Sequence, residues 1–142
     1  MTLADNRSIA MRFFNDVFNE GDIATVDDIF AKDYVGYSSA NLGRPIVGQD
    51  GIKEFVKKYR QAFPDIHFDF EDVITHDDKV VVRWTTRGTH QRDLFNIAPT
   101  GKTMTVTGIG IAQVVDAQIK ISHSEVNMLS LVQQLGVVPE LR

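Results

Sequence analysis

His123, Glu125 and Asn127 stand two residues apart near the end of the chain. Residues at i, i+2 and i+4 share one face of a strand. Ile119 and Ile121 precede them in the same phase. If those isoleucines face a core, the three polar side chains face it too, unless a bulge changes the phase. Inward polar groups must bond one another, water or a ligand. An imidazole and a carboxylate placed there can pass protons near neutrality. A strand running past the sheet edge would leave the same groups in solvent. His90 is the other candidate, at the end of a strand on the face of Trp84. It could move a proton or bond a carbonyl, or it could be a structural histidine with its bonds made. His67 and His76 sit beside acidic residues and read as solvated. Lys53, Lys57, Lys58 and Arg60 read as one solvated helix face.

Other chemistries are excluded by what is missing. The 142 residues include no cysteine, which removes thiolate, disulfide and iron–sulfur chemistry. There is no Gly-x-Ser-x-Gly elbow and no His-Glu-x-x-His motif. The glycines from Gly101 to Gly110 lack the strand–loop–helix setting of a phosphate loop. A net charge of −4 without a Lys/Arg stripe argues against a nucleic-acid partner. No run approaches the roughly 18 apolar residues of a membrane span. Met1 to Arg12 has no apolar run, so no leader is expected and the cytoplasm is favoured. The length and 43% hydrophobic content fit one globular domain, 1–142.

The elements that position these residues follow from periodicity. Ile9, Phe13, Phe14, Val17 and Phe18 recur at helical spacing until Gly21. A short helix with Val26, Ile29 and Phe30 inward comes next. Asp33 to Val47 reads as loop and short strand, because Ser, Gly, Asn and Pro crowd it. A helix from about Gln49 to Ala62 buries Ile52, Phe55, Val56, Tyr59 and Phe63, and Pro64 ends it. Strands follow. Ile66, Phe68 and Phe70 alternate with polar residues, and Asp77-Asp78 turns the chain. Lys79 to His90 places Val80, Val82, Trp84, Thr86, Gly88 and His90 on one face. Lys102 to Asp116 carries Gly108 and Gly110, which permit a bend or bulge. Ile119 to Asn127 is the last strand, and Leu129, Val132 and Leu135 mark a final helix. Helices followed by hairpin-linked strands predict an α+β fold with a curved antiparallel sheet, a cone with a pocket inside.

Six strings in this order resemble the SnoaL-like polyketide cyclases of the nuclear transport factor 2-like superfamily. They are Phe13-Phe14-Asn15-Asp16-Val17-Phe18-Asn19-Glu20-Gly21-Asp22, Phe63-Pro64-Asp65, Asp78-Lys79-Val80-Val81-Val82-Arg83-Trp84, Arg87-Gly88-Thr89-His90, Pro99-Thr100-Gly101-Lys102 and Leu131-Val132-Gln133-Gln134-Leu135-Gly136. The resemblance implies a cone-shaped α+β barrel around a hydrophobic cavity. It implies a homodimer or homotetramer, usually built through the sheets. It also implies secondary metabolism: cofactor-independent, metal-free intramolecular aldol closure of an aromatic polyketide ester or ketone. Some relatives are proposed cofactor-free hydroxylases. The family's Gly-Thr-His string maps a pocket histidine onto His90, which would orient or polarise a carbonyl. The family's acid/base Asp falls at Asn127, which has no titratable group. The Trp before it falls at about His123. On this reading Glu125 would accept the proton, with His123 as its partner and Asn127 as a donor to substrate. Phe14, Tyr37, Phe55, Tyr59, Phe63, Trp84 and Met104 would line the apolar site. Loss of the Asp also fits a non-catalytic module that binds a hydrophobic ligand or a protein. His123, Glu125 and His90 could in principle hold Fe(II), but their order and the family context speak against it.

Overall fold

The structure is a computed structural model that describes residues 3–139, with side chains from Asp5 onward. The ends of the expected 1–142 domain, residues 1–2 and 140–142, lie outside the described residues. Helix α1 (Leu3–Arg12) runs on into a π-helical segment, Phe13–Asn19. The wider π turn lets Phe14, Val17 and Phe18 all face inward. Phe13 packs edge-on against Phe14, Phe18 and Phe30. Gly21, at φ 77°, ends the segment in the left-handed region that favours glycine.

Helix α2 (Thr25–Ile29) buries Val26 and Ile29 and leads into strand β1 (Phe30–Ser38). That strand covers the first part of the stretch expected to be loop and short strand, and it is longer than expected. Its polar and glycine content weakens strand propensity, but burial of Phe30, Tyr34, Gly36 and Ser38 overrides this. Strand β2 (Ile46–Val47) and helix α3 (Gly48–Ala62) follow, with Ile52, Val56, Tyr59 and Ala62 buried. Strands β3 (His67–His76), β4 (Lys79–Thr89), β5 (Thr103–Val115) and β6 (Gln118–Val126) complete the sheet, before helix α4 (Met128–Gln134). Leu131 and Leu135 anchor α4, whereas Leu129, expected inside, is half exposed.

The strand order is β2-β1-β6-β5-β4-β3. Strands β3 to β6 form antiparallel hairpins. Strand β1 lies parallel to β6, so the sheet is mixed rather than wholly antiparallel. Helix α3 carries the chain from β2 to β3 on the opposite edge, and the hairpins then bring β6 back beside β1 in the same direction. The inner face of β4 is as expected: Val80, Val82, Trp84, Thr86 and Gly88 are all buried.

Two readings of the later strands need correction. Gly108 and Gly110 make no bulge; they pair in register with Trp84 and Val82. The bulge lies further on, where Gln113 pairs with Ile121 and Val114 with Ile119. Lys120 is the extra residue, and it reverses the phase of β6. Ile119 is buried at 2% exposure, whereas Ile121 is 41% exposed. Beyond the bulge Ser122, Ser124 and Val126 point inward, and His123 and Glu125 point outward with Ile121.

Candidate functional site: the cavity of the cone

The concave sheet face and the helices over it enclose a cavity of about 120 Å³. Its walls are aromatic. Phe14 packs on Trp84 with centroids 5.2 Å apart, and Phe18 on Phe68 at 4.7 Å. Two of the aromatic side chains need glycines beneath them. The Trp84 indole lies over Gly108, where a Cβ would fall 2.5 Å from a ring carbon. Tyr34 crosses Gly36 in the same way, and a Cβ there would overlap its hydroxyl. That hydroxyl shares a 2.6 Å hydrogen bond with Ser122 Oγ on β6.

Polar atoms at the wall fall into two groups. The first is satisfied. Besides the Tyr34–Ser122 pair, Ser124 Oγ donates to Ser38 Oγ at 2.8 Å, and the Tyr59 hydroxyl donates to the Ala40 carbonyl. Burial pushes the Tyr34 phenol up to about 12, against a smaller opposing effect of Ser122, and raises Tyr59 as well. Both therefore stay neutral at any physiological pH. The second group, Trp84 Nε1 and Thr86 Oγ1, has no protein partner, and neither atom has surface open to the cavity. No carboxylate lines the cavity.

His90 is fully buried, but it does not line the cavity. Phe63 stacks on its ring at 5.5 Å and sits over Gly88, between His90 and Thr86. His90 holds the loop from Gln91 to Gly101. Its N–H donates to the Lys102 carbonyl, its carbonyl accepts from Gly101, and its Nδ1 accepts the Thr100 N–H. Nε2 has no partner.

The remaining candidates are divided by the sheet. His123 stacks on Tyr37 at 5.1 Å, at an edge shared by the cavity and an open groove on the outer face. That groove, about 620 Å³, is bordered by Leu42, Ile109, Ile111 and Glu125. Asn127 is exposed, and its Oδ1 accepts the Ser130 N–H as the N-cap of α4. His90, His123, Glu125 and Asn127 are therefore not gathered at one point. Among the described residues, no three His, Asp or Glu side chains are placed to hold a metal. Of the expected apolar wall, Phe14, Phe55, Tyr59, Trp84 and Met104 line the cavity; Tyr37 stands at its edge, and Phe63 lies behind it with His90. Sequence reasoning missed Tyr34, Thr86 and Ser122. Thr86 was visible as the next same-face position after Trp84. Tyr34 was hidden because its stretch gave no clear strand phase, and Ser122 by the bulge.

The comparisons agree with this architecture. A proposed polyketide cyclase from Acidithiobacillus ferrooxidans is 28% identical, with a TM-score of 0.82 over 96% of this chain and 98% of that one. AclR, a proposed hydroxylase from Streptomyces galilaeus, is 21% identical, with a TM-score of 0.85 over 99% and 87%. IdmH, a proposed polyketide cyclase from Streptomyces antibioticus, is 24% identical, with a TM-score of 0.80 over 93% and 99%. The last two likenesses establish the cone fold alone. Among curated proteins, none matches the sequence. The family profile of the SnoaL-like polyketide cyclases matches residues 8–135, from the second turn of α1 to the end of α4. With that match spanning every wall of the cavity, the chain belongs to the SnoaL-like polyketide cyclase family.

Proposed function

We propose that this chain is a small-molecule-binding member of its family. Its cavity takes a compact apolar molecule, and it does not perform carboxylate-dependent ring closure. The observation that carries this reading is the cavity itself: about 120 Å³, walled largely by aromatic and aliphatic side chains and lined by no carboxylate. Pockets for drug-sized ligands run to roughly 300–1,000 Å³. A dry apolar cavity of about 150 Å³ holds benzene. An aldol closure needs a base within hydrogen-bond reach of the proton it removes. Glu125 faces outward across the sheet, and Asn127 caps a helix.

Calorimetric titration with ethylbenzene, a neutral apolar probe, tests the reading. One-to-one binding is expected in the wild type. Ala112→Leu, which fills the cavity from β5, should abolish it, and Glu125→Gln should leave it unchanged. Loss of binding in Glu125→Gln, with Ala112→Leu unaffected, would move the site to the outer groove.

We also propose that the outer sheet face pairs with a second copy of the chain. One observation favours it. Ile74, Val81, Ile111, His123 and Tyr37 form a continuous row across β3, β4, β5, β6 and β1. Ile74 is 59% exposed and Ile111 44%. Aliphatic and aromatic-ring side chains left open in a connected row on one sheet face are what a pairing surface needs. It lies on the face through which the family resemblance implies assembly.

A further inference from the structure

The outer sheet face carries its charges in a pattern that complements itself. Arg83 on β4, Ile109 on β5 and Glu125 on β6 are register partners, and all three are exposed on that face. The row has a cation on one side of β5, an anion on the other and an apolar residue between. Beside it, Val81, Ile111 and His123 form the next outward row, again centred on β5. Ile109 is 46% exposed and Ile111 44%.

Both charges have capacity left. Arg83 bonds Asp72 through Nε at 2.8 Å, which leaves the terminal edge of its guanidinium for a second acceptor. Among the described residues, Glu125 makes no hydrogen bond or ion pair. It borders the outer groove beside Ile109 and Ile111. A carboxylate covered by an apolar surface there would need a cation.

A two-fold axis that brings two such faces together lies in the plane between them and makes every contact reciprocal. Its direction is set by the charges. An axis along β5 keeps each row opposite itself and exchanges the two sides. Arg83 then meets the partner's Glu125, Glu125 meets the partner's Arg83, and Ile109 and Ile111 meet their own copies. The groove beside Glu125 is filled from above by the partner's Val81 and the partner's Ile74. An axis across the strands instead sets Arg83 against the partner's Arg83 or, one row along, against the partner's Val81. The first opposes like charges, and the second covers a charge with an apolar side chain. Packed sheets lie about 10 Å apart, a gap that an arginine and a glutamate span from opposite sides.

We propose that two copies pair about an axis along β5, with Arg83 of each bonded to Glu125 of the other. The proposal rests on the pairing reading of the outer face and goes further by fixing the axis and the charges that select the partner.

Sedimentation of two charge-reversed variants, apart and mixed, tests it. The wild type should be a dimer. Arg83→Glu sets two glutamates against each other at both contacts, and Glu125→Arg sets two arginines. Each variant alone should self-associate about tenfold or more weakly than wild type. An equimolar mixture should form a heterodimer, because both contacts then join an arginine to a glutamate. The double variant should also dimerise. Glu125→Arg disturbs no bond within the chain, so it decides the case even if Arg83→Glu does not fold. A Glu125→Arg dimer of wild-type strength overturns the axis assignment and leaves the pairing reading standing. Two dissociated variants that stay apart when mixed overturn it as well. A wild type that is monomeric overturns the pairing reading together with the axis.

Discussion

At position 127 an amide stands where the family resemblance implies a carboxylate, and its Oδ1 caps helix α4 through the Ser130 N–H. The residue is thus explained by local structure. Asn127→Ala should cost about 1 kcal/mol by urea denaturation, and Asn127→Asp, an equally good cap, should cost little. Neither should alter ethylbenzene affinity. Gly108 makes the opposite kind of demand. Its missing side chain is the seat of the Trp84 indole. Gly108→Ala should cost about 1–3 kcal/mol and shift the emission of the single tryptophan. An unchanged spectrum would mean that the indole is not held there.

At the scale of elements, His90 is best understood as the latch of the loop from Gln91 to Gly101. His90→Ala leaves the Thr100 N–H without its acceptor and should destabilise the protein by about 1–3 kcal/mol. Hydrogen exchange should quicken first at Thr100 and Gly101. The approach to β3 carries a pH-dependent contact nearby. Burial opposes ionisation of Asp65, but the N–H and hydroxyl of Thr89 hold its carboxyl below the usual range. A folded pKa below the unfolded one means stability that is present above about pH 4 and lost as pH falls further. The thermal midpoint should fall more steeply with acid in wild type than in Asp65→Asn.

The strands also show what periodicity can and cannot reveal. Strand β4 was legible because alternation runs unbroken from Val80 to Gly88. Strand β6 was legible as a strand, but not in phase. Its bulge at Lys120 adds one residue and turns His123 and Glu125 to the other face. Nothing in the alternation of Ile119, Ile121 and His123 announces that extra residue. Strand β1 was hidden because Gly36 and Ser38 look like loop residues. Gly36 is there because Tyr34 must cross it to reach Ser122, a contact 88 residues away in sequence.

For the whole molecule, one sheet serves two purposes. Its concave face closes over an aromatic cavity, and its convex face carries the row from Ile74 to Tyr37. No helix among the described residues is long and apolar enough to cross a membrane. If the convex row pairs with a second copy, Ile74→Glu, at the 59% exposed end of the row and outside the cavity lining, should convert a dimer to a monomer in analytical ultracentrifugation, with the cavity's affinity for ethylbenzene kept. A wild type that sediments as a monomer would remove the pairing proposal. The most direct test of the proposed ligand site is anomalous diffraction from a crystal soaked with bromobenzene. The bromine should lie inside the cone, beside Trp84 and Phe14. Bromine density in the outer groove between Tyr37 and Glu125, with the cone empty, would contradict the cavity as the site.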